Sequence, residues 1–150
     1  MLIKLFVLSV FLFASGCDSG DRSSSLLGLD ADRDGVRDDI QEYIDGLKLT
    51  EQQRYFVINY AAFQQELFLV NLDDPEAVLA YNVDLLQKMD CVHKQFNDDI
   101  LVAYELITKI ADKTLNTKKR KNASEEFDNA TPLVIRFNSD ADKCVRNAPN

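Results

Sequence analysis

Residues 74–96, DPEAVLAYNVDLLQKMDCVHKQF, carry a helix start followed by a long, regular apolar spacing. The Asp74-Pro75 pair suits the first turn of a helix. The aspartate side chain can accept from free N–H groups there, and proline at the first helical position gives up an N–H that has no partner anyway. Behind it, Val78, Tyr81, Leu85, Met89, Val92 and Phe96 recur at intervals of three and four, which aligns them on one helical face. Such a face needs other elements to cover it.

The flanking sequence supplies them. Upstream, Thr50-x-x-Gln53 reads as a capping box that opens a helix running to about Val70, with Tyr55, Ile58, Ala62 and Phe63 as expected buried positions. Earlier still, Val36, Ile40, Tyr43, Ile44 and Leu47 follow helical spacing, and Gly46 stands near the expected end. Downstream, a fourth helix is expected from about Asp98 to Leu115, carrying Ile100, Ala103, Tyr104, Ile107 and Ile110 as its apolar stripe. Asn116 to Ala130 is more polar and reads as a weaker helix that Pro132 stops. The strand-like competitor is the short LVIRF run at 133–137, and there is no internal repeat. The expectation is an all-α protein, a small bundle of about four main helices plus a weaker one. It would have an EF-hand-like loop at its N-terminal end and an irregular C-terminal tail pinned by a disulfide.

At 150 residues, 46% of them hydrophobic, the chain has the length and apolar content for one packed domain. A net charge of -8 leaves nothing broad to neutralise phosphates and argues against nucleic acid as a partner.

The N-terminal stretch MLIKLFVLSVFLFASGC combines Lys4, an apolar run from Leu5 to Phe13 too short to span a bilayer, and small residues leading to Cys17. It resembles the signal peptide and lipobox of bacterial lipoproteins. The resemblance implies cleavage before Cys17, acylation of its thiol, and a lipid-anchored protein of the bacterial cell envelope facing the periplasm. An ordinary secretory signal with a chance cysteine is the alternative. The expected organisation is therefore a signal peptide at 1–16, a lipidated, Ser- and Gly-rich tether at 17–28, and a folded domain at 29–150. Asp18, directly after the anchor, resembles the enterobacterial signal for inner-membrane retention.

With Cys17 acylated, Cys91 and Cys144 remain in an oxidising compartment, and a disulfide between them is expected. Two separately buried thiols are the other reading.

Residues 29–40, LDADRDGVRDDI, place carboxylates at alternate positions around a glycine. Counting from Asp30, acids fall at positions 1, 3 and 5 (Asp30, Asp32, Asp34), Gly35 at 6, the Val36 carbonyl at 7 and Asp38 at 9. Calcium takes six to eight oxygen ligands, and a glycine lets the chain turn around it. The stretch resembles EF-hand-type loops, more closely the DxDxDGxxDD loops of dockerins and type 3 thrombospondin repeats. That implies a structural Ca²⁺ held by Asp30, Asp32, Asp34, Val36 and Asp38. Position 12, a bidentate glutamate in such loops, is Gln41 here, which implies weak affinity. The alternative is an acidic helix start that caps free N–H groups, a role that suits Asp38 and Asp39. A partial echo at Asn138, Asp140 and Asp142 has Lys143 where the glycine would stand and reads as a polar loop.

The single histidine, His93, loses its nearest thiolate partner if Cys91 is oxidised. The Lys118-Lys119-Arg120-Lys121 run reads as a solvated helix face, with an anionic membrane as the other candidate. No nucleophile-elbow, zinc-protease or phosphate-loop motif is present. The functional expectation is a lipid-anchored binding or structural module with an envelope protein as partner. A small periplasmic enzyme, or a regulator of one, with a cleft between helices is the alternative.

Overall fold

The computed structural model describes residues 25–96, 99–132, 138–140 and 143–146. The expected signal peptide at 1–16, Cys17, Asp18, Asp98, the 133–137 run and Asp142 lie outside the described residues. The elements are α1 (Asp38–Asp45), α2 (Glu51–Glu66), α3 (Pro75–Gln95), α4 (Ile100–Thr114), α5 (Lys118–Ala130) and the short α6 (Lys143–Arg146). A 3₁₀ turn, Leu67–Leu69, extends α2. The chain is an all-α bundle with no strand among the described residues. None of the described helices is long and apolar enough to cross a membrane.

Helix starts form where the local chemistry calls for them. The Thr50 hydroxyl accepts from the Gln53 N–H while the Gln53 side chain accepts from the Thr50 N–H, so two free donors are satisfied reciprocally. Asp74 accepts from Glu76 and Ala77, with Pro75 at the first helical position. Asp99 and Thr117 cap α4 and α5 in the same way.

α2 is the central helix, touching α1, α3 and α4. The main core joins Val36, Ile40 and Ile44 to Phe56, Val57, Tyr60 and Ala61 of α2, Cys91 and Val92 of α3, and Leu106, Ile107 and Ile110 of α4. A second cluster seats α5: Phe127 packs with Leu67, Val78 and Tyr81, and the Tyr81 ring stacks on Phe63 at 4.8 Å.

Two expected stripes are displaced. In α2 the buried apolar residues are Phe56, Val57, Tyr60 and Ala61, while Tyr55, Ile58, Ala62 and Phe63 are half-buried. A helix with neighbours on several sides buries more than one face, so its spacing does not single out the innermost one. In α4, Ile100 and Tyr104 are exposed, and Leu106 is buried instead. No element among the described residues covers the outer side of that first turn. The C-terminal tail is also less irregular than expected, since residues 143–146 form a helical turn.

Cys91 and Cys144 form the disulfide, with Cα atoms 5.1 Å apart across 53 residues. Gln87, buried beside it, clamps the tail through both ends of its amide: Nε2 donates to the Asp140 carbonyl at 3.1 Å, and Oε1 accepts from the Asp140 N–H at 2.9 Å.

Candidate metal centre

The loop between Leu29 and α1 is drawn together by its own carboxylates. Asp38 Oδ1 accepts from the Ala31 N–H at 2.9 Å, and the Asp38 N–H donates to the Leu29 carbonyl at 2.9 Å, closing the loop at its neck. Asp30 Oδ2 accepts from the Gly35 N–H at 3.1 Å. Asp34 Oδ1 accepts from the Val36 N–H at 2.8 Å, a turn that points the chain into the bundle. Two left-handed residues make the path feasible: Gly35 at φ 91° and Arg33 at φ 62°. Glycine takes that conformation freely, whereas it costs an arginine on the order of 1 kcal/mol.

Neighbouring elements fix this loop in place. Val36 buries its side chain completely in the main core. Gln65 of α2 accepts from the Arg37 N–H at 3.1 Å and donates to the Gly35 and Ala61 carbonyls. The Arg37 guanidinium, 4% exposed, pairs with Asp39 and donates to the Lys113 and Thr114 carbonyls at the end of α4. Burial pushes the Asp39 carboxyl up, but the Arg37 hydrogen bond and the charges of Arg37, Lys113 and Arg120 outweigh it and hold Asp39 below its ordinary value. On the other side, Gly28 at φ 80° lies against Arg37 and Arg120 so closely that a Cβ would fall 2.2 Å from Arg37 Cδ.

Within this frame Asp30, Asp32 and Asp38 bring one oxygen each to within 4.8 Å of one another. Asp34 is not one of the three, and its Oδ1 is engaged by Val36. Two side-chain oxygens at the loop are buried with no hydrogen-bond partner: Asp30 Oδ1 and Gln41 Oε1. Buried oxygens of this kind are costly to leave unpaired. Gln41 stands at the twelfth loop position, where spacing alone registered only the missing glutamate. Its Nε2 donates to Asp45 Oδ1, which fixes the amide orientation.

Elsewhere, a cavity of about 280 Å³ opens between α2 and α3, lined in part by Tyr55, Asn59, Glu66, Asp84 and Lys88. Tyr60 and Tyr81, whose phenols burial pushes above the ordinary range, are not in its lining. They donate to the Ile107 and Phe63 carbonyls and serve the core. On the surface, Ile100, Leu101, Val102 and Tyr104 are 60%, 78%, 45% and 61% exposed. Val102 also lines a groove of about 290 Å³ with Tyr43, Leu47, Leu49, Phe96 and Leu106. Val102 is thus shared between the exposed first turn of α4 and a groove beside α1 that Lys48 and Glu105 also line.

The features above define a disulfide-linked helical protein with an acidic, internally braced loop. The chain matches no protein-family model, no curated protein and no solved structure.

Proposed function

We propose that the protein is a lipid-anchored module of the bacterial envelope, held through an acylated Cys17, that carries a structural calcium ion in the 30–41 loop and binds an envelope protein. The observation that carries the calcium reading is the grouping of Asp30, Asp32 and Asp38 together with the unpaired, buried Asp30 Oδ1. Three carboxylates at this separation repel one another, and a divalent cation converts that repulsion into coordination. By their place in the loop, the second Asp34 oxygen, the Val36 carbonyl and Gln41 Oε1 are the ligands that would have to move in to give the all-oxygen set calcium takes. A neutral amide in place of a bidentate glutamate sets the affinity in the weak range of extracellular modules, about 0.1–1 mM. The ion's role is to lock the junction between the tether and α1.

The exposed Ile100–Tyr104 surface supports a binding module over an enzyme. Several exposed apolar side chains in one helical turn, with Val102 also lining a groove, suit a protein partner.

Calorimetry of the purified protein with and without chelator tests the ion. Because the unfolded chain cannot assemble the ligands, calcium at a hundredfold excess over its dissociation constant raises stability by about 2.7 kcal/mol. Absence of both binding heat and any melting shift up to about 10 mM, beyond the weakest extracellular modules, sinks the proposal.

A further inference from the structure

We infer that the basic first turn of α5 lies against anionic phospholipid headgroups, so that the bundle stands on the membrane by that end; the inference rests on the reading of Cys17 as the acylated residue. α5 opens Lys118-Lys119-Arg120-Lys121 with no acidic residue in its first turn. The free N–H groups at a helix start carry partial positive charge, so lysines there oppose the helix rather than support it. The four residues also divide in two. Arg120, 3% exposed, turns inward and donates to the Leu26 carbonyl at 2.8 Å, the Ser25 carbonyl at 3.1 Å and Asn116 Oδ1 at 2.6 Å. Lys118, Lys119 and Lys121 are exposed. The chain thus enters the fold one arginine side chain away from three surface lysines.

That placement meets the reach of the anchor. Eight residue steps separate Cys17 from Ser25, at most about 29 Å when fully extended. An acylated Cys17 therefore holds this end of the molecule near the bilayer, within range of the headgroup potential at close approach. Opposing charges share the region: Asp112 and Glu125 flank Lys121, and the acidic loop begins two residues after Gly28. Calcium in the loop, as proposed above, would offset the latter. The arrangement also orients the rest of the surface. The Ile100–Tyr104 patch lies at the opposite end of the 15-residue α4, roughly 15–21 Å along its axis from the end that leads into α5.

The test reconstitutes the lipidated full-length product into vesicles of zwitterionic lipid alone or with phosphatidylglycerol, in calcium buffer, and follows amine acetylation residue by residue. Flotation with both vesicle types, with Lys118 and Lys121 acetylated several-fold more slowly on the anionic vesicles, Lys48 unchanged and the difference removed by high salt, is the expected result. Lys48 is the reference because it is exposed and lines the groove beside Val102. Flotation with equal rates on both vesicles overturns the orientation and leaves the anchor standing. Failure to float overturns the anchor, and the orientation with it.

Discussion

Asp32 and Asp38 face the same cluster, but only Asp38 also holds the apo loop together. Asp32 is exposed and makes no hydrogen bond that shapes the loop among the described residues, whereas Asp38 closes its neck through Ala31 and Leu29. Replacing each with alanine therefore separates ligand from scaffold. Asp32→Ala removes the calcium-dependent rise in melting and leaves stability in chelator within about 0.5 kcal/mol of the parent. Asp38→Ala removes the same rise and also costs about 1 kcal/mol in chelator, the worth of a lost loop hydrogen bond. Thermal melts of both variants with and without calcium check this, and identical behaviour in chelator contradicts the division. The alternating acids and the glycine were legible from spacing because an acidic turn is local in sequence. Gln65, 28 residues beyond Arg37, was not, since a clamping amide in a helix looks like any other glutamine until the fold brings it to the loop.

Arg37 works at the scale of elements, tying the start of α1 to the end of α4. Its guanidinium answers two carbonyls that α4 leaves unpaired and places a positive charge at the negative end of that helix. Arg37→Met keeps the stem but loses these bonds, at a cost of about 2–3 kcal/mol in urea unfolding. The pair also gives an acid dependence of definite sign. The folded-state value of Asp39 is lowered, so its contribution is present above the unfolded value of about 3.9 and is lost as pH falls through the folded one. Because Asp39 is half exposed, the effect is modest. In Asp39→Asn the loss of stability below about pH 4 becomes shallower, and an unchanged acid limb speaks against the pair. Helix existence was legible from capping chemistry at Thr50 and Asp74, which needs only neighbours in sequence. Which face each helix buries was less so: Ile100 and Tyr104 fit a 3.6-residue stripe as well as Ile107 does, and only the arrangement of α1, α2 and α3 decides that they stay outside.

For the whole molecule, the question is what holds the described part of the C-terminal tail on the bundle. Its described part is held by three kinds of link around α3: the Cys91–Cys144 bridge, the paired hydrogen bonds of Gln87 with Asp140, and an Asp90–Lys94–Ser139 cluster. The polar links are partly solvated, so they order the tail only while something else keeps it close. The disulfide supplies that proximity, and closing a 53-residue loop removes unfolded-state entropy worth about 4 kcal/mol in the chain-entropy model. The span it closes runs through α4 and α5, so the effect reaches the whole bundle rather than the tail alone. The double variant Cys91→Ser, Cys144→Ser should lose up to about 4 kcal/mol in urea unfolding, less where the reduced chain keeps residual structure. The main core lies among α1, α2, α3 and α4, and the loop braces, Gln65 and Arg37, sit outside the closed span, so the variant still folds and still responds to calcium. Amide exchange should quicken first at residues 138–140 and 143–146 and at the C-terminal turns of α3. A variant that retains parental stability would mean the polar links suffice, and one that loses the calcium response would mean loop and bridge are a single cooperative unit.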